Sequence, residues 1–381
     1  TIFAGLTGIF GAIGVDAAAD FQQTMSGIKA VLAPTTAEME ALRQKALQLG
    51  ADTSFSASEA GQAIEALAQN GLNAAQIMGG AADATVALAA ATNTDLATAA
   101  TIATDTMQAF NLTAGELGSA VDGIAGVTVA SKFGIDDYRL ALANGGGAAA
   151  AFGVSLKDFN AVIAATSAQF TSGQTAGTAF RAFINHLTPS TDTARDAMMG
   201  LGLATADGTS AFYTATGAIR PMAEIAEILK TSLGGLSDAE KAVAIEAMFG
   251  AEAIGTVIGL MQQGSAGVSQ FAADIDKVSA ADQAATRLDN FRGAQEALSG
   301  SLDTLKIIIG TAVLPVLTRF VQGLTAGINI LSQMATAITS AANPFQEFAV
   351  QVSNVISSLL GLSTEANSYG AALVQSFAAG I

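Results

Sequence analysis

The sequence of 381 residues contains no cysteine, no tryptophan and a single histidine, and only 13% of its residues are charged. Without cysteine, the chain has no disulfide bond and no thiolate metal or redox site. A single imidazole also excludes histidine-paired metal sites within the chain. Hydrophobic residues make up 51% of the sequence, which is not the composition of a disordered tail. Much of this share is alanine, which favours helices but buries little area, so many helices must pack together.

Basic residues are also scarce, with 16 lysines and arginines against 32 acidic residues, and the formal net charge is −16. A nucleic-acid surface replaces the counterions around phosphates with lysine and arginine side chains. The sequence therefore disfavours stable nucleic-acid binding. An acidic surface suits a component that DNA passes without adhering.

Helix start signals recur along the chain as capping boxes, in which serine or threonine precedes an acidic residue by three positions. In one box, Ser56 with Glu59, an apolar face follows, and Gly71 stands where a left-handed residue ends a helix. The other pairs are Thr35 with Glu38, Thr113 with Glu116, Ser155 with Asp158, Ser237 with Glu240 and Ser279 with Asp282. With no convincing alternating strand pattern, we predict an all-α fold, an array of short alanine-rich helices.

Three sites are predicted to interrupt this array: Gly79–Gly80, Gly145–Gly147 and the turn at Thr188–Pro189. The helix opened by Thr35 is predicted to end at Gly50. Residues 206–217 are the most strand-like part, and we favour a loop there over a small hairpin.

The composition changes after Asp303, because the only charged residues from there to the end are Lys306, Arg319, Glu347 and Glu365. Two apolar stripes at helical spacing predict longer, uncharged amphipathic helices. They consist of Phe320, Leu324, Ile328, Leu331 and Ile338, and of Phe345, Phe348, Val352, Val355, Leu359 and Leu362. We therefore predict an apolar N-terminal segment at 1–18, a helical core domain at 19–300 and charge-poor amphipathic helices at 301–381.

These charge-poor ends admit two interpretations. Residues 1–15 and 307–362 either contact a host membrane or pack against sister chains. Lys306 and Arg319 bracket only a dozen apolar residues, which is short for a membrane span, so packing between chains is favoured. Because the sequence starts at Thr1, we expect it to be a fragment or a processed chain.

Candidates for chemistry are few. His186 near the end of a helix is interpreted as structural, because a histidine there gains from the helix dipole. The carboxylate pairs Asp136–Asp137 and Asp274 with Asp276 could serve glycoside hydrolysis, but neither has a neighbouring aromatic cluster. Gly145–Gly147 lacks the lysine and serine or threonine of a phosphate loop. We predict no catalytic, cofactor-binding or metal-binding residue.

The segment FSASEAGQAIEALAQNGLNAAQI, starting at Phe55, resembles the core signature of bacteriophage tail tape measure proteins. The preceding stretch, Ala19–Gly50, is similar to the part of the family that comes before this signature. Three later segments follow in the family's order: Asp95–Leu112, Phe152–Ser167 and Gly177–Ser190. The resemblance covers roughly Ala19–Met261.

This resemblance implies a structural virion protein that is not an enzyme. The family acts as a scaffold in the tail lumen, sets tail length during assembly and leaves ahead of the DNA at infection. Implied partners are the tail tube protein, tail-tip or baseplate proteins and tail assembly chaperones, and sister copies, with a trimer favoured. The implied locations are the tail lumen, the host cytoplasm during assembly and the host cell envelope at infection. The alternatives are a membrane-active helical pore former and, ranked third, a cell-wall hydrolase.

Overall fold

The computed structural model describes residues 15–207 and 209–289, and then 293, 295, 298–308, 310, 311 and 314. The two predicted amphipathic stripes at 320–338 and 345–362, and residues 1–14 of the apolar segment, lie outside the described residues. The chain divides into two compact units, Asp20–Thr304 and Thr1–Ala19 with Leu305–Ile381. Only the first is described over most of its length. The predicted domain limits stay a prediction.

The described part is all-α, as predicted, with mostly short helices that are joined, with one longer exception at 201–221, by short turns. The helices are α1 (Val15–Leu32), α2 (Thr36–Asp52), α3 (Ala57–Gln69), α4 (Ala74–Gln76), α5 (Ala82–Thr92), α6 (Leu96–Ala109), α7 (Leu117–Ala130), α8 (Ile135–Ala141), α9 (Gly147–Ala151), α10 (Leu156–Thr166), α11 (Gly173–Asn185), α12 (Asp192–Gly200), α13 (Met222–Leu233), α14 (Asp238–Phe249), α15 (Ile254–Ile275) and α16 (Ala280–Leu288). Two π-helical turns, Ile77–Ala81 and Leu142–Gly146, join α4 to α5 and α8 to α9.

Three predicted capping boxes with glutamate, those beginning at Thr35, Ser56 and Ser237, form both reciprocal hydrogen bonds. At Thr113 the Glu116 carboxylate accepts the threonine backbone N–H, while the Glu116 N–H bonds to the Thr113 carbonyl oxygen. At Ser155 and Ser279 the serine caps the helix, but the aspartate does not return the bond to the backbone. The aspartate side chain is one methylene shorter, which explains the difference.

The helix ends agree with the sequence at some positions and differ at others. Gly71 has a φ of 96° just beyond α3, as predicted for a left-handed helix stop. Gly80, with a φ of 129°, interrupts the turn between α4 and α5. The predicted end of α2 at Gly50 is wrong, because the helix continues to Asp52. Gly50 is buried there, and a Cβ atom on it would lie 2.3 Å from the Ala57 nitrogen.

The stretch predicted as a loop, 206–217, lies in a loop stabilised by two isolated antiparallel bridges. Ala204 pairs with Ser210, and Tyr213 pairs with Ile219. Phe212 between them is fully buried. The described residues contain no longer strand pairing, so the hairpin alternative is realised only as these two bridges.

Within Asp20–Thr304, the helices form two groups that share α7. In the first group α2 packs on α3, α3 on α6, and α5 on both α7 and α16. In the second, α15 packs on α13 and α10, while α11 packs on α8. Helix α7 contacts α10 and α15 as well, so it joins the two groups into one continuous core.

The second group surrounds a cluster of aromatic rings centred on Phe159. Its ring centroid lies 5.9 Å from that of Phe110, 6.5 Å from that of Tyr138 and 5.3 Å from that of Phe180. The Tyr138 hydroxyl donates a 2.8 Å hydrogen bond to Oδ1 of Asn160, so no polar group of this pair is left unsatisfied. Burial raises the pKa of Tyr138, which keeps this donor protonated.

Candidate functional site

The lone imidazole has a structural partner. His186 follows the last residue of α11, and its Nδ1 lies 2.7 Å from the carbonyl oxygen of Ala182. A carbonyl can only accept, so Nδ1 carries the proton and donates. The ring closes the end of its own helix, in agreement with the structural interpretation.

The carboxylates of Asp136 and Asp137 lie in the first turn of α8, as predicted. Asp137 Oδ1 accepts a 2.8 Å hydrogen bond from the backbone nitrogen of Gly173, the first residue of α11. This carboxylate is therefore committed to a neighbouring helix start rather than aimed at a substrate.

The second carboxylate pair is separated by its contacts. Asp274 in α15 accepts hydrogen bonds from Lys277 at 2.7 Å and from Gln270 at 2.9 Å. The hydrogen bond from Lys277 lowers the pKa of Asp274 most, and the bond from Gln270 lowers it further. Asp276 forms an ion pair with Lys157 at the start of α10. The two carboxylates therefore serve different partners.

The three glycines at 145–147 do not break the helix, so that prediction is wrong. They continue it through the π-helical turn Leu142–Gly146 into α9. A Cβ atom on Gly145 would lie 3.0 Å from the carbonyl oxygen of Gly177, and one on Gly177 would lie 2.4 Å from that of Ala141. The glycines let α11 cross α8 and this turn at close range.

One arrangement recurs that the sequence analysis did not predict. A carboxylate on one helix accepts a hydrogen bond from a backbone N–H at the start of another helical segment. Such a bond satisfies a helix-start donor and complements the positive end of the helix dipole. The pairs are Asp122 Oδ1 with Ala280 N (2.7 Å), Asp137 Oδ1 with Gly173 N (2.8 Å) and Glu227 Oε2 with Ser265 N (2.9 Å). We call these the inter-helix caps.

One inter-helix cap lies at a kink. Gly264 interrupts α15 with a φ of 60° and a ψ of −169°, and the next residue, Ser265, begins a new helical segment. Glu227 on α13 accepts the free N–H of Ser265. The cap therefore replaces a hydrogen bond that the kink breaks, and it ties α13 to α15.

The local capping boxes predict a dependence of stability on pH. Hydrogen bonds from the N-cap residue, mainly from its backbone N–H and then from its hydroxyl, lower the pKa of Glu38 and Glu116. In Glu240 the Ser237 hydroxyl lowers the pKa most, followed by the backbone N–H. A carboxylate with a lowered folded-state pKa stabilises the fold above its unfolded pKa and loses that contribution as pH falls. We expect the urea midpoint to fall between about pH 6 and about pH 3.

Replacing these three glutamates with glutamine tests this expectation. Glutamine retains the capping geometry but does not titrate, so the slope of stability against pH should decrease. Glu252→Gln, which removes an exposed carboxylate outside any capping box, is the control. Asp158 acts in the opposite sense, because burial raises its pKa and the folded chain takes up its proton first. An unchanged slope in the triple variant would contradict the assignment.

The described residues give little support for a membrane-spanning helix or a metal site. The helical run Ala74–Thr92 is long and apolar enough to cross a membrane, and α14 with Ala251–Ile275 passes the same test only as a pair bent by 119°. More than half of this helical run is buried within the protein. The described part contains no group of three or more histidine or acidic residues that could hold a metal ion.

Comparison with known proteins places this helical array in a family. A family model described as phage-related minor tail protein matches residues 43–250, more than half of the chain. The chain belongs to this family. The minor tail protein family is a structural one, and membership assigns the chain to a phage tail.

Two relatives of this minor tail protein carry more specific names. The chain is 27% identical to the tape measure protein of Pneumococcus phage Dp-1 over 318 residues, 83% of the chain and 27% of that protein. It is 30% identical to the probable tape measure protein of Escherichia phage P2 over 272 residues, 70% of the chain and 31% of that protein. The predicted family resemblance is confirmed. The chain thus spans less than a third of either relative, and no solved structure matches it.

Proposed function

We propose that this chain is the folded helical part of a tail tape measure protein, a scaffold in the tail lumen that sets tail length during assembly and leaves ahead of the DNA. The observation that carries the proposal is the similarity to two tape measure proteins over 70–83% of the chain. The all-α array supports a role based on helix packing. Its candidate carboxylates and its imidazole are engaged in helix ends and ion pairs, which suits a protein without a reaction.

The proposal also covers the binding partners of the chain and its location in the virion and the host. In the tail lumen the chain would meet the tail tube protein and the tail-tip or baseplate proteins, and during assembly in the host cytoplasm it would meet tail chaperones. Several copies, with three favoured, would pack together there. The net charge of −16 supports passage of DNA without adhesion. The charge-poor region 301–381 is proposed to join copies or, at infection, to contact the host envelope.

Deleting residues 20–304 in frame from a phage that encodes this chain tests the proposal. We expect lysates with filled capsids but with tails that are absent or of the wrong length, measured by electron microscopy. Phe152→Ala, a change at an exposed side chain, is the control and should leave tail length unchanged. Tails of normal length and number in the deletion phage would refute the scaffold role.

The deletion phage tests the membrane alternative, and the purified chain tests the hydrolase alternative. A membrane-active role predicts normal virions that adsorb but fail to deliver DNA. A cell-wall hydrolase predicts clearing of peptidoglycan by the purified chain, abolished by replacing one carboxylate. Neither alternative is favoured by a described contact.

A further inference from the structure

An open groove of about 580 Å³ lies on the surface between α12 and α14. Its lining is almost entirely apolar and mostly small, comprising Ala197, Gly200, Leu201, Val243, Ala244 and Ala247 among others. Val243 in this lining is 71% exposed, the largest exposed fraction among the large hydrophobic side chains of the described residues. A single exposed apolar side chain is ordinary on a protein surface, but Val243 lies among other apolar residues in one groove, and such a grouping is typical of a contact site.

The length of α14 suits a bound α-helix. Helix α14 has 12 residues and is therefore about 18 Å long, which matches roughly three turns of a partner helix. The alanine and glycine lining allows the backbone of such a helix to approach closely. An amphipathic helix that lays its apolar face into an apolar groove is a common mode of recognition.

The charges around the groove select the kind of helix. The two charged residues of the lining, Asp196 and Glu240, are both acidic, although one oxygen of Glu240 also accepts the capping bonds from Ser237. The cations on the same helices are already paired, Arg195 with Asp192 at 3.0 Å and Lys241 with Asp238 at 3.4 Å. The surface therefore offers negative charge on either side of an apolar floor, and complementary charge on a partner would be basic.

We infer that the groove between α12 and α14 binds an amphipathic helix of another protein, with an apolar stripe flanked by lysine or arginine. A second copy of this chain, with its net charge of −16, is a poor match for an acidic rim. The chain's own stripes are also poor matches, since 345–362 carries only the acidic Glu347 and 320–338 is flanked by a single cation, Arg319, at one end only. The inference depends on local geometry and not on the proposed scaffold role, so the two can fail separately.

A labelled synthetic helix tests the inference on the full chain. The probe is a peptide of about 14 residues with leucine at helical spacing and lysine on both flanks, and its matched control carries glutamate in place of lysine. By fluorescence anisotropy we expect the lysine peptide to bind at least about tenfold more tightly than the glutamate peptide. This preference should shrink as salt rises from about 0.05 M to about 0.5 M.

Two matched variants locate the binding site. Ala244→Phe fills the groove and should weaken binding of the lysine peptide at least about tenfold. Ala242→Phe adds the same ring two residues away, at an exposed position of α14 outside the groove lining, and should leave binding unchanged. Thermal unfolding of both variants verifies that each is folded. Equal binding of the two peptides, or equal binding by the two variants, would overturn the inference.

Two other molecules could occupy the groove, a second copy of the chain or one of its own segments, and each predicts a different result in these binding experiments. If a second copy fills the groove, Ala244→Phe dissociates a self-associated form while the lysine peptide does not bind. If one of the chain's own stripes fills it, a peptide copying residues 319–338 or 345–362 binds and the lysine peptide does not displace it. Either result would overturn the assignment to a basic partner helix.

Discussion

Replacing Phe159 with alanine is expected to lower the free energy of unfolding by about 3–5 kcal/mol, the largest effect of a single substitution that we predict. Phe159 is completely buried and touches three other aromatic rings. Truncation loses the transfer free energy of the ring and leaves a cavity that its rigid neighbours fill only partly. Urea unfolding followed by circular dichroism measures the change.

The control is Phe152→Ala, which removes the same side chain from a position 38% exposed, immediately after the last residue of the short helix α9. We expect this variant to change stability by about 0.5 kcal/mol or less. The contrast depends on burial alone, because the chemistry of the substitution is identical. Similar losses in both variants would show that Phe159 is not the centre of the core.

Replacing Gly177 with alanine is expected to destabilise the fold by about 1–3 kcal/mol, although alanine is the better helix former. The added Cβ atom would lie 2.4 Å from the carbonyl oxygen and 2.9 Å from the Cα atom of Ala141. These are backbone atoms of α8, so the clash is relieved only by moving α11 away from α8. Such movement would also lengthen the bond between Asp137 and Gly173.

Gly147→Ala is the matched control, since it adds a methyl group to a helical glycine with no atom within 4 Å of the new Cβ position. We expect it to raise stability by about 0.5–1 kcal/mol, because the unfolded chain loses conformational freedom. Opposite signs for the two glycine substitutions in the same urea experiment would establish the close crossing. A gain in stability from both would refute it.

The sequence predicts the parts of this fold that depend on neighbours a few residues apart. Capping boxes such as Ser56 with Glu59, and the stop at Gly71, are visible because the groups that meet are three or four positions apart. The family resemblance is visible for a different reason, since it follows an ordered series of short segments.

The remaining features depend on which helices meet, and periodicity does not contain that information. Asp137 looks like half of a carboxylate pair until Gly173, 36 residues later, is placed against it. The glycines at 145–147 look like a break, because the sequence does not show that Gly177 crosses them. The apolar groove is invisible for the same reason: α12 and α14 are separate helices until folding places them side by side.

The contact between α16 and α5 has a consequence for synthesis on the ribosome. Helix α5 ends at Thr92, whereas α16, which covers part of it, begins at Ala280, and the cap from Asp122 to Ala280 closes across 158 residues. At about 5–20 residues per second, translation reaches α16 roughly 10–40 s after α5 has emerged. During that interval the part of α5 that contacts α16 has no covering partner. A holdase that binds apolar helices would be needed most in this interval, before α16 arrives.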